Sequence, residues 1–300
     1  MSNLSMLEAD ESIDSWSYED AFGRNLGLVT RVEQARLRQS RVAVAGLGGV
    51  GGIHLITLAR LGIGAFHLAD PDSFEVANFN RQYGASTHTV GRGKAEVMAE
   101  QLRAINPHAQ VQVFPTCIAP DNVNAFLADV DVLVDGIDFF ALDARRLVFA
   151  EARRRGIWTV TAGPIGFSTA WLVFDPAGMS FEEYFDLRDG MDRLDQLIAF
   201  YAGLTPRGTQ LPYMRGVDLA GGRGPSAALA CQLCSGVATA EVLKILLGRG
   251  PVQAAPHYAQ FDAYRRLLRT GYLRGGNRHP WQRLKRWWLR RRLARTIHCD

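Results

Sequence analysis

Residues 41–52 of the sequence read RVAVAGLGGVGG. The first five, of which all but Arg41 are apolar, are typical of a buried strand, and glycines with the Gly-x-Gly-x-x-Gly spacing follow them. A strand that ends in such a turn and opens a helix presents backbone N–H groups to an anionic ligand. The stretch therefore predicts a nucleotide-binding turn, although this motif alone does not distinguish NAD from ATP. The glycines assigned to the turn are Gly46, Gly48, Gly49 and Gly51, with Gly52 directly after them.

Two acidic residues follow the second predicted strand, Ala65 to Ala69. Asp70 lies nineteen positions after Gly51, where an acid accepts hydrogen bonds from the hydroxyls of a ribose. Asp72 lies two positions further along and is the other candidate for this contact. The spacing predicts a ribose contact from this acidic pair and leaves open which of the two makes it.

Two cations, Arg81 and Lys94, come after the acidic pair, in and after a polar loop. Cations near a phosphate-binding turn suit a triphosphate, because the charge of the leaving pyrophosphate must be neutralised. A nicotinamide cofactor needs no such pair. The cations therefore favour ATP, and an NAD(P)-dependent oxidoreductase is kept as an alternative.

Asp138 follows a third buried strand, predicted over Val130 to Val134. The carboxyl end of a parallel strand lies above the nucleotide crevice, and a carboxylate there suits Mg²⁺ that bridges phosphate oxygens. Asp135 is a competitor for this role, since it lies at the same strand end, and it equally suits a cap for the helix that starts near Phe140.

Strands and helices alternate along residues 41–162, which predicts an α/β fold with a Rossmann-like, doubly wound, mostly parallel sheet. A C-terminal antiparallel extension and a Gly- and Pro-rich crossover loop at 205–225 are expected to follow. Residues 18–38 and 181–201 are both predicted to be helical. We divide the chain into an N-terminal arm (1–17), one nucleotide-binding domain (18–264) and a basic, Trp-rich tail (265–300).

The bulk composition, with 47% apolar and 21% charged residues, is typical of a globular protein. No run of about 18 consecutive apolar residues occurs, so no membrane-spanning helix is expected. The first residues lack the apolar core of a secretory signal. Four cysteines in 300 residues do not suggest a disulfide framework, and a reduced, cytoplasmic setting is expected.

The glycine turn, the acidic pair, the segment Asn78-x-x-Arg81-Gln82, Lys94 and the later Asp138 together resemble the ThiF/MoeB/HesA family over about residues 18–264. That family shares its fold with the activating enzymes of ubiquitin-like proteins. The resemblance implies that ATP and Mg²⁺ are used to adenylate a C-terminal carboxylate, often that of a small ubiquitin-like or sulfur-carrier protein, or of a peptide. It assigns phosphate contacts to Asn78, Arg81 and Lys94. It also assigns Mg²⁺ binding and orientation of the attacking carboxylate to Asp138.

An early segment, Phe22-Gly-Arg-Asn25, resembles the Tyr-x-Arg-Gln segment of the same family. In the family this arginine reaches the phosphates of the ATP bound by the neighbouring subunit. The resemblance therefore gives Arg24 a cofactor-binding role and implies a homodimer. In the crossover loop, Tyr213 and Arg215 are expected to be available to contact the C-terminus of the substrate.

The chain also departs from the family pattern. Many relatives hold zinc with two Cys-x-x-Cys pairs, but only Cys231 and Cys234 form such a pair here, so structural zinc is not expected. Relatives that form a thioester place a cysteine near the position of Gly222, and residues 219–225 contain none. Cys231 is the local candidate nucleophile, and a helix N-terminus would lower its thiol pKa. A non-catalytic ATP-binding or scaffold protein of the same fold is a further alternative.

The C-terminal segment 265–300 carries twelve Lys and Arg residues and one acid, whereas the rest of the chain carries 22 bases and 29 acids. Its tryptophans form an imperfect helical stripe, since Trp281, Leu284 and Trp288 share a face from which Trp287 is expected to lie apart. Bases interleaved with tryptophans suit the surface of an anionic membrane, which would place the protein peripherally there. Nucleic acid is the second possible partner.

Overall fold

The computed structural model describes residues 16–217, 222 and 224–297. One mixed sheet has helices on both of its faces. The strands are β1 Arg41–Ala45, β2 Ala65–Ala69, β3 Gln110–Phe114, β4 Val132–Asp135, β5 Trp158–Ile165, β6 Ser168–Phe174, β7 His257–Asp262 and β8 Leu267–Tyr272. The α-helices are α1 Tyr18–Phe22, α2 Arg31–Gln39, α3 Gly51–Arg60, α4 Lys94–Ile105, α5 Val123–Phe126, α6 Leu142–Arg154, α7 Phe181–Phe185, α8 Arg193–Leu204, α9 Ala228–Leu247 and α10 Pro280–Ile297.

The eight strands of the sheet lie in the order β3-β2-β1-β4-β5-β6-β7-β8. The pairs from β3 to β5 are parallel, and those from β5 to β8 are antiparallel. The prediction of a doubly wound, mostly parallel sheet with an antiparallel extension is therefore confirmed. Strand order reverses between β1 and β4, and ligands of such sheets bind at this point, beyond the carboxyl ends of the strands.

Both faces of the central strand β1 are buried from residue 42 to residue 45, which explains why these four residues are all apolar. Val42 and Val44 belong to a core that also holds residues of α3, α4 and α9. Ala43 and Ala45 face the opposite way, into a core built from α6, α7 and α8. This packing fixes the end of β1, and with it the position of the glycine turn.

Helix α9 is long and apolar enough, by length and composition, to cross a membrane. In the structure it lies against α3, β5 and β6, and its residues Cys234, Ala238 and Val242 are fully buried in the core. These contacts explain its apolar composition by packing within the fold.

The two long helices predicted over 18–38 and 181–201 are wrong as continuous elements. The first is interrupted after Phe22, and α2 begins anew with a capping box between Thr30 and Glu33. The second ends after Phe185, because Asp186 adopts a left-handed conformation with φ of 54°. Local caps and one residue with positive φ outweigh the helical pattern of the sequence at both places.

The predicted boundary between domain and tail at residue 264 also needs correction. Residues 267–272 form β8, which pairs with β7 from Asp262↔Leu267 to His257↔Tyr272. The strand was missed because it lies at the edge of the sheet and is mostly exposed, so its sequence lacks a buried alternating pattern. Helix α10 then packs on α8, so the basic segment continues the domain. Residues 1–15 of the predicted arm lie outside the described residues.

Candidate nucleotide site

The glycine turn lies at the point where the strand order reverses, between the ends of β1, β2 and β4. The amide of Gly46 donates to the Ala69 carbonyl, and the amide of Gly136 donates to the Ala45 carbonyl, each at 2.7 Å. Gly46 has a φ of +83°, which a glycine adopts without strain. A Cβ on Gly51 would collide with the carbonyl oxygen of Gly46. The two glycines therefore allow the tight turn that opens α3.

Gly136, which was not among the predicted site residues, belongs to the same turn. A Cβ at this position would lie 2.5 Å from the carbonyl oxygen of Gly46 and 2.7 Å from the Cα of Gly51. Gly136 follows β4 directly. The Asp-Gly pair at the end of this buried strand is the sequence feature that could have predicted a glycine of the turn. The turn is therefore built from two chain segments, at the ends of β1 and β4.

Asp70 braces the turn. Its carboxylate is buried and accepts from the Leu47 amide at 2.6 Å and from the Asp72 amide at 2.9 Å. Burial raises the pKa of this carboxyl, and these two amide hydrogen bonds oppose the shift. The structure thus places Asp70 beside the glycine turn and gives it a structural task, while its ribose contact stays a prediction.

Asp72 and Lys94 form an ion pair beside Asp70. The Lys94 ammonium lies 2.9 Å from Asp72 Oδ2, and the lysine side chain is only 7% exposed whereas that of Asp72 is 66% exposed. The Lys94 amide also donates to the Asp72 carbonyl at 2.8 Å. The predicted residues are therefore brought together, with Lys94 held at the first position of α4.

Arg81 stands beside the glycine turn. A Cβ on Gly49 would lie 3.8 Å from Arg81 Cγ, and the guanidinium donates to the Ala77 carbonyl and to Asn80 Oδ1, each at 2.9 Å. No carboxylate pairs with this arginine among the residues that the structure describes. Its positive charge is thus uncompensated next to a turn built to receive an anion.

Asn78 shapes the segment that carries Arg81. Its Oδ1 accepts from the Glu75 amide at 2.9 Å, and its backbone carbonyl accepts from the amides of Arg81 and Gln82. The structure therefore shows a positioning role for Asn78, while its predicted phosphate contact stays a prediction.

Gln82 is a further polar group at the turn. It is buried, its Nε2 lies 3.5 Å from the place a Cβ would take on Gly48, and its Oε1 has no hydrogen-bond partner within the described part of the chain. Buried amide oxygens rarely stay unpaired. An unpaired group of this kind beside the turn fits a site that a polar ligand completes.

Asp135 and Asp138, the two acids after β4, have different environments. Asp135 is buried against Arg145 at 2.8 Å and Thr161 at 2.7 Å, and it accepts from the Ile137 amide at 3.0 Å. Asp138 is exposed, and its Oδ1 accepts from the Phe140 amide at 2.9 Å. Among the described residues, Asp138 Oδ2 has no partner. Of the two candidates for a cation ligand, the structure leaves Asp138 available and engages Asp135.

Cys231 is buried at the start of α9, against the glycine turn. Its Sγ lies 3.1 Å from the place a Cβ would take on Gly49. Burial raises the pKa of this thiol, although a hydrogen bond with Ser226 and the charge of Arg81 oppose the shift. The expected lowering of its pKa by the helix N-terminus is therefore wrong, because desolvation of the thiolate is the larger effect. Cys234 is likewise buried and donates to Thr169 Oγ1 at 3.1 Å.

Arg24 is not brought into the site of its own chain. The neighbouring Asn25 donates to the Leu61 carbonyl, which lies at the end of α3 opposite to the glycine turn. A helix of ten residues is about 15 Å long, so Arg24 lies far from Gly51. The side chain of Arg24 is exposed there.

The crossover loop is only partly described. Tyr213 lies in a 3-10 turn and donates to Asp262 Oδ2 at 2.9 Å, so its hydroxyl is tied to the end of β7. The side chain of Arg215, residues 218–221 and residue 223 lie outside the described residues. That residues 219–225 contain no cysteine is known from the sequence.

The fold and the site together define a nucleotide-binding protein with a Rossmann-like sheet. The chain belongs to the ThiF family, whose model matches residues 22–280. Over 154 residues it is 38% identical to the tRNA threonylcarbamoyladenosine dehydratase of Haemophilus influenzae, covering 51% of this chain and 58% of that protein. It is 36% identical over 107 residues to the sulfur carrier protein adenylyltransferase of Thermus thermophilus, covering 36% and 40% of the two chains. The chain thus spans little more than half the length of the first of these relatives, and less of the second.

Solved structures show the same architecture. The E. coli tRNA N6-threonylcarbamoyladenosine dehydratase superposes with a TM-score of 0.57 at 26% identity, covering 78% of this chain and 96% of that one. E. coli MccB with AMPCPP and MccA superposes with a TM-score of 0.64, covering 86% and 73%, and at 19% identity this likeness concerns the fold alone.

Proposed function

We propose that this chain uses ATP to adenylate a carboxylate, with release of pyrophosphate. The observation that carries the proposal is the placement of Arg81. Its guanidinium has no acidic partner among the described residues, and its aliphatic stem lies beside Gly49 of the glycine turn. The acidic group Asp138 follows β4, on the other side of the switch point.

In the proposed reaction, an oxygen of the acceptor carboxylate attacks the α-phosphorus of ATP. The bond from the α-phosphorus to the bridging oxygen breaks, and pyrophosphate leaves with that oxygen. The acceptor is already ionised near neutral pH, so no general base is needed. Arg81 and Lys94 neutralise charge on the phosphates, and the amides of the turn hold them in place.

Asp138 suits a magnesium ion that arrives with the nucleotide. The described residues contain no group of three or more His, Cys, Asp or Glu side chains able to hold a metal. Mg²⁺ in phosphate sites often needs only one or two carboxylates, since water and phosphate oxygens supply the other ligands. Such an ion would lower the repulsion between the phosphates and the incoming carboxylate.

A second copy of the chain would complete the site. Arg24 is exposed and lies at the far end of α3 from the turn of its own chain. As part of the proposal, Arg24 reaches the phosphates bound by the partner subunit of a homodimer. Replacing Arg24 with Ala in half the subunits of a mixed dimer should then impair the site of the unchanged subunit.

The acceptor is proposed to be the C-terminus of a small ubiquitin-like or sulfur-carrier protein, or of a peptide. The relatives differ on this point, since one name specifies a sulfur carrier protein and another a tRNA nucleoside. With no cysteine in residues 219–225, the acyl adenylate is the proposed activated product.

The decisive experiment is ATP–pyrophosphate exchange, screened against small proteins, peptides and tRNA from the same cell. Exchange should appear with one acceptor class and be lost in Arg81→Ala and Asp138→Ala. A matched control is Arg103→Ala, which removes an exposed arginine in the last turn of α4 and should leave exchange unchanged. Exchange at the wild-type rate in both site variants would contradict the assignment. ATP binding without exchange for any acceptor would instead select the non-catalytic alternative, and binding of NAD(P)H the oxidoreductase.

A further inference from the structure

Helix α10 has one face that is fixed on the body of the protein. Lys285 Nζ donates to the carbonyls of Ala202 and Thr205, at 2.9 and 2.8 Å, where α8 ends. Arg286 pairs with Asp186 at 2.8 Å. Leu289, only 6% exposed, packs in an apolar cluster with residues of α8. These contacts use one side of the helix and set its rotation.

The opposite face of α10 exposes large apolar side chains. Trp281, Leu284, Trp287 and Trp288 are 73%, 52%, 51% and 42% exposed. At 100° per residue they fall within an arc of about 120° that points away from Leu289. The stripe that is imperfect in the sequence is therefore coherent in the structure, and Trp287 belongs to it.

Arginines surround and cross this apolar arc. Arg283 and Arg291 are exposed, and the guanidinium of Arg291 lies 3.9 Å from the centre of the Trp287 ring. The guanidinium of Arg292 lies 5.2 Å from the Trp288 ring. Residues 263–297 contain no acid at all. The outward face of α10 thus combines indole rings with arginine side chains, and no acidic residue of this segment offsets their charge.

We propose that the outward face of α10 binds the surface of an anionic lipid bilayer. Tryptophan is enriched at the membrane–water interface, because its ring is apolar and its N–H is polar. Arginine buries its aliphatic stem among lipid while its charged group reaches the headgroups. The half-exposed Leu284 favours lipid over nucleic acid, because a polyanion has no acyl chains in which to bury it.

This surface acts independently of the proposed adenylation, but it is linked to the nucleotide site by packing. The cluster that holds Leu289 also contains Phe139, the residue after Asp138, and Leu211 and Met214 of the crossover loop. This cluster lies on the inward side of α10, so a bilayer bound to the outward face would be separated from the crossover loop by the helix itself, with the chain held peripherally at the membrane.

The test uses the full chain and vesicles of phosphatidylcholine, with or without phosphatidylserine, at low ionic strength. We expect co-sedimentation with the anionic vesicles and a blue shift of tryptophan fluorescence, with much weaker binding to phosphatidylcholine alone. The variant Trp281→Ser/Trp287→Ser should lose at least about tenfold in affinity for anionic vesicles. Arg283→Gln and Arg291→Gln should each lose about fivefold.

A matched control is Tyr264→Ser/Tyr272→Ser, which removes two equally exposed aromatics from the β7–β8 hairpin and should bind vesicles like the wild type. All variants change exposed side chains, so their thermal unfolding should stay unchanged. The proposal is overturned by absence of binding to anionic vesicles. Binding that is unaffected by loss of the two indoles would also overturn it. Binding of the full chain to bulk RNA but not to vesicles would overturn it as well.

Discussion

The imidazole of His54 gives the most direct physical test of this structure. His54 lies in α3, just after the glycine turn, and is fully buried. Neither ring nitrogen has a hydrogen-bond partner in the described part of the chain. Burial alone lowers the pKa of this imidazole to about 3. The folded protein therefore holds the ring neutral at pH values at which a free histidine is charged.

The sign of the effect follows from proton binding. In the unfolded chain the ring has a pKa of about 6.5. Between that value and about 3, the unfolded state binds a proton that the folded state does not bind. The contribution of His54 to the free energy of unfolding is thus constant above about pH 6.5 and falls by about 1.4 kcal/mol per pH unit below it. At about pH 4.5 the loss amounts to about 3 kcal/mol, a large share of the stability of a typical domain.

The substitution His54→Leu removes the ring that binds a proton in the unfolded state, and with it the two unpaired ring nitrogens. We expect the difference in unfolding free energy between pH 7 and about pH 4.5 to be smaller in the variant by about 3 kcal/mol. Urea denaturation at the two pH values measures it, since the contributions of the carboxylates are common to both proteins and cancel. His88→Leu, at an exposed histidine, serves as the control and should behave like the wild type. Equal pH dependence in His54→Leu and the wild type would refute the reasoning.

Two further substitutions test the turn. Gly136→Ala should push the new Cβ into Gly46 and Gly51, which should lower the free energy of unfolding by about 1–3 kcal/mol and weaken ATP binding. Thermal unfolding with and without ATP measures both effects. The control Gly236→Ala has open space around the new Cβ and should change neither stability nor ATP binding. Cys231→Ala should keep both the fold and ATP–pyrophosphate exchange. Iodoacetamide should modify the exposed Cys117 well before the buried Cys231. A Cys231→Ala variant that is folded but lacks exchange would instead give the Cys231 thiol a part in adenylation.

The parallel half of the sheet was predictable, because β1, β2 and β4 are largely apolar and each ends at a glycine turn or an acid. A strand that is buried on both faces, such as β1, is apolar on both faces. Glycines with this spacing directly after such a strand are typical of a phosphate-binding turn. For the same reason Asp70, Arg81 and Lys94 could be placed near the turn from their spacing, before any contact was known.

Other features depend on contacts that no local pattern records. Gly136 matters only because it meets Gly46 across the sheet, and Gln82 only because its amide is buried beside Gly48. The choice between Asp135 and Asp138 is decided by Arg145, ten positions further along the chain. Strand β8 escaped detection since an edge strand needs no apolar face.

The side chain of Asn80 spans two segments with different tasks. Its Oδ1 accepts from Arg81, and its Nδ2 donates at 2.9 Å to the carbonyl of Ser226, between the crossover loop and α9. Both hydrogen bonds belong to a single planar amide, so turning it for one partner disturbs the other. A ligand that moved the loop would therefore alter the setting of the arginine, and a ligand that bound the arginine would affect the loop by an equal coupling free energy. In this way one small side chain would make the affinities of the two sites interdependent, whichever is occupied first.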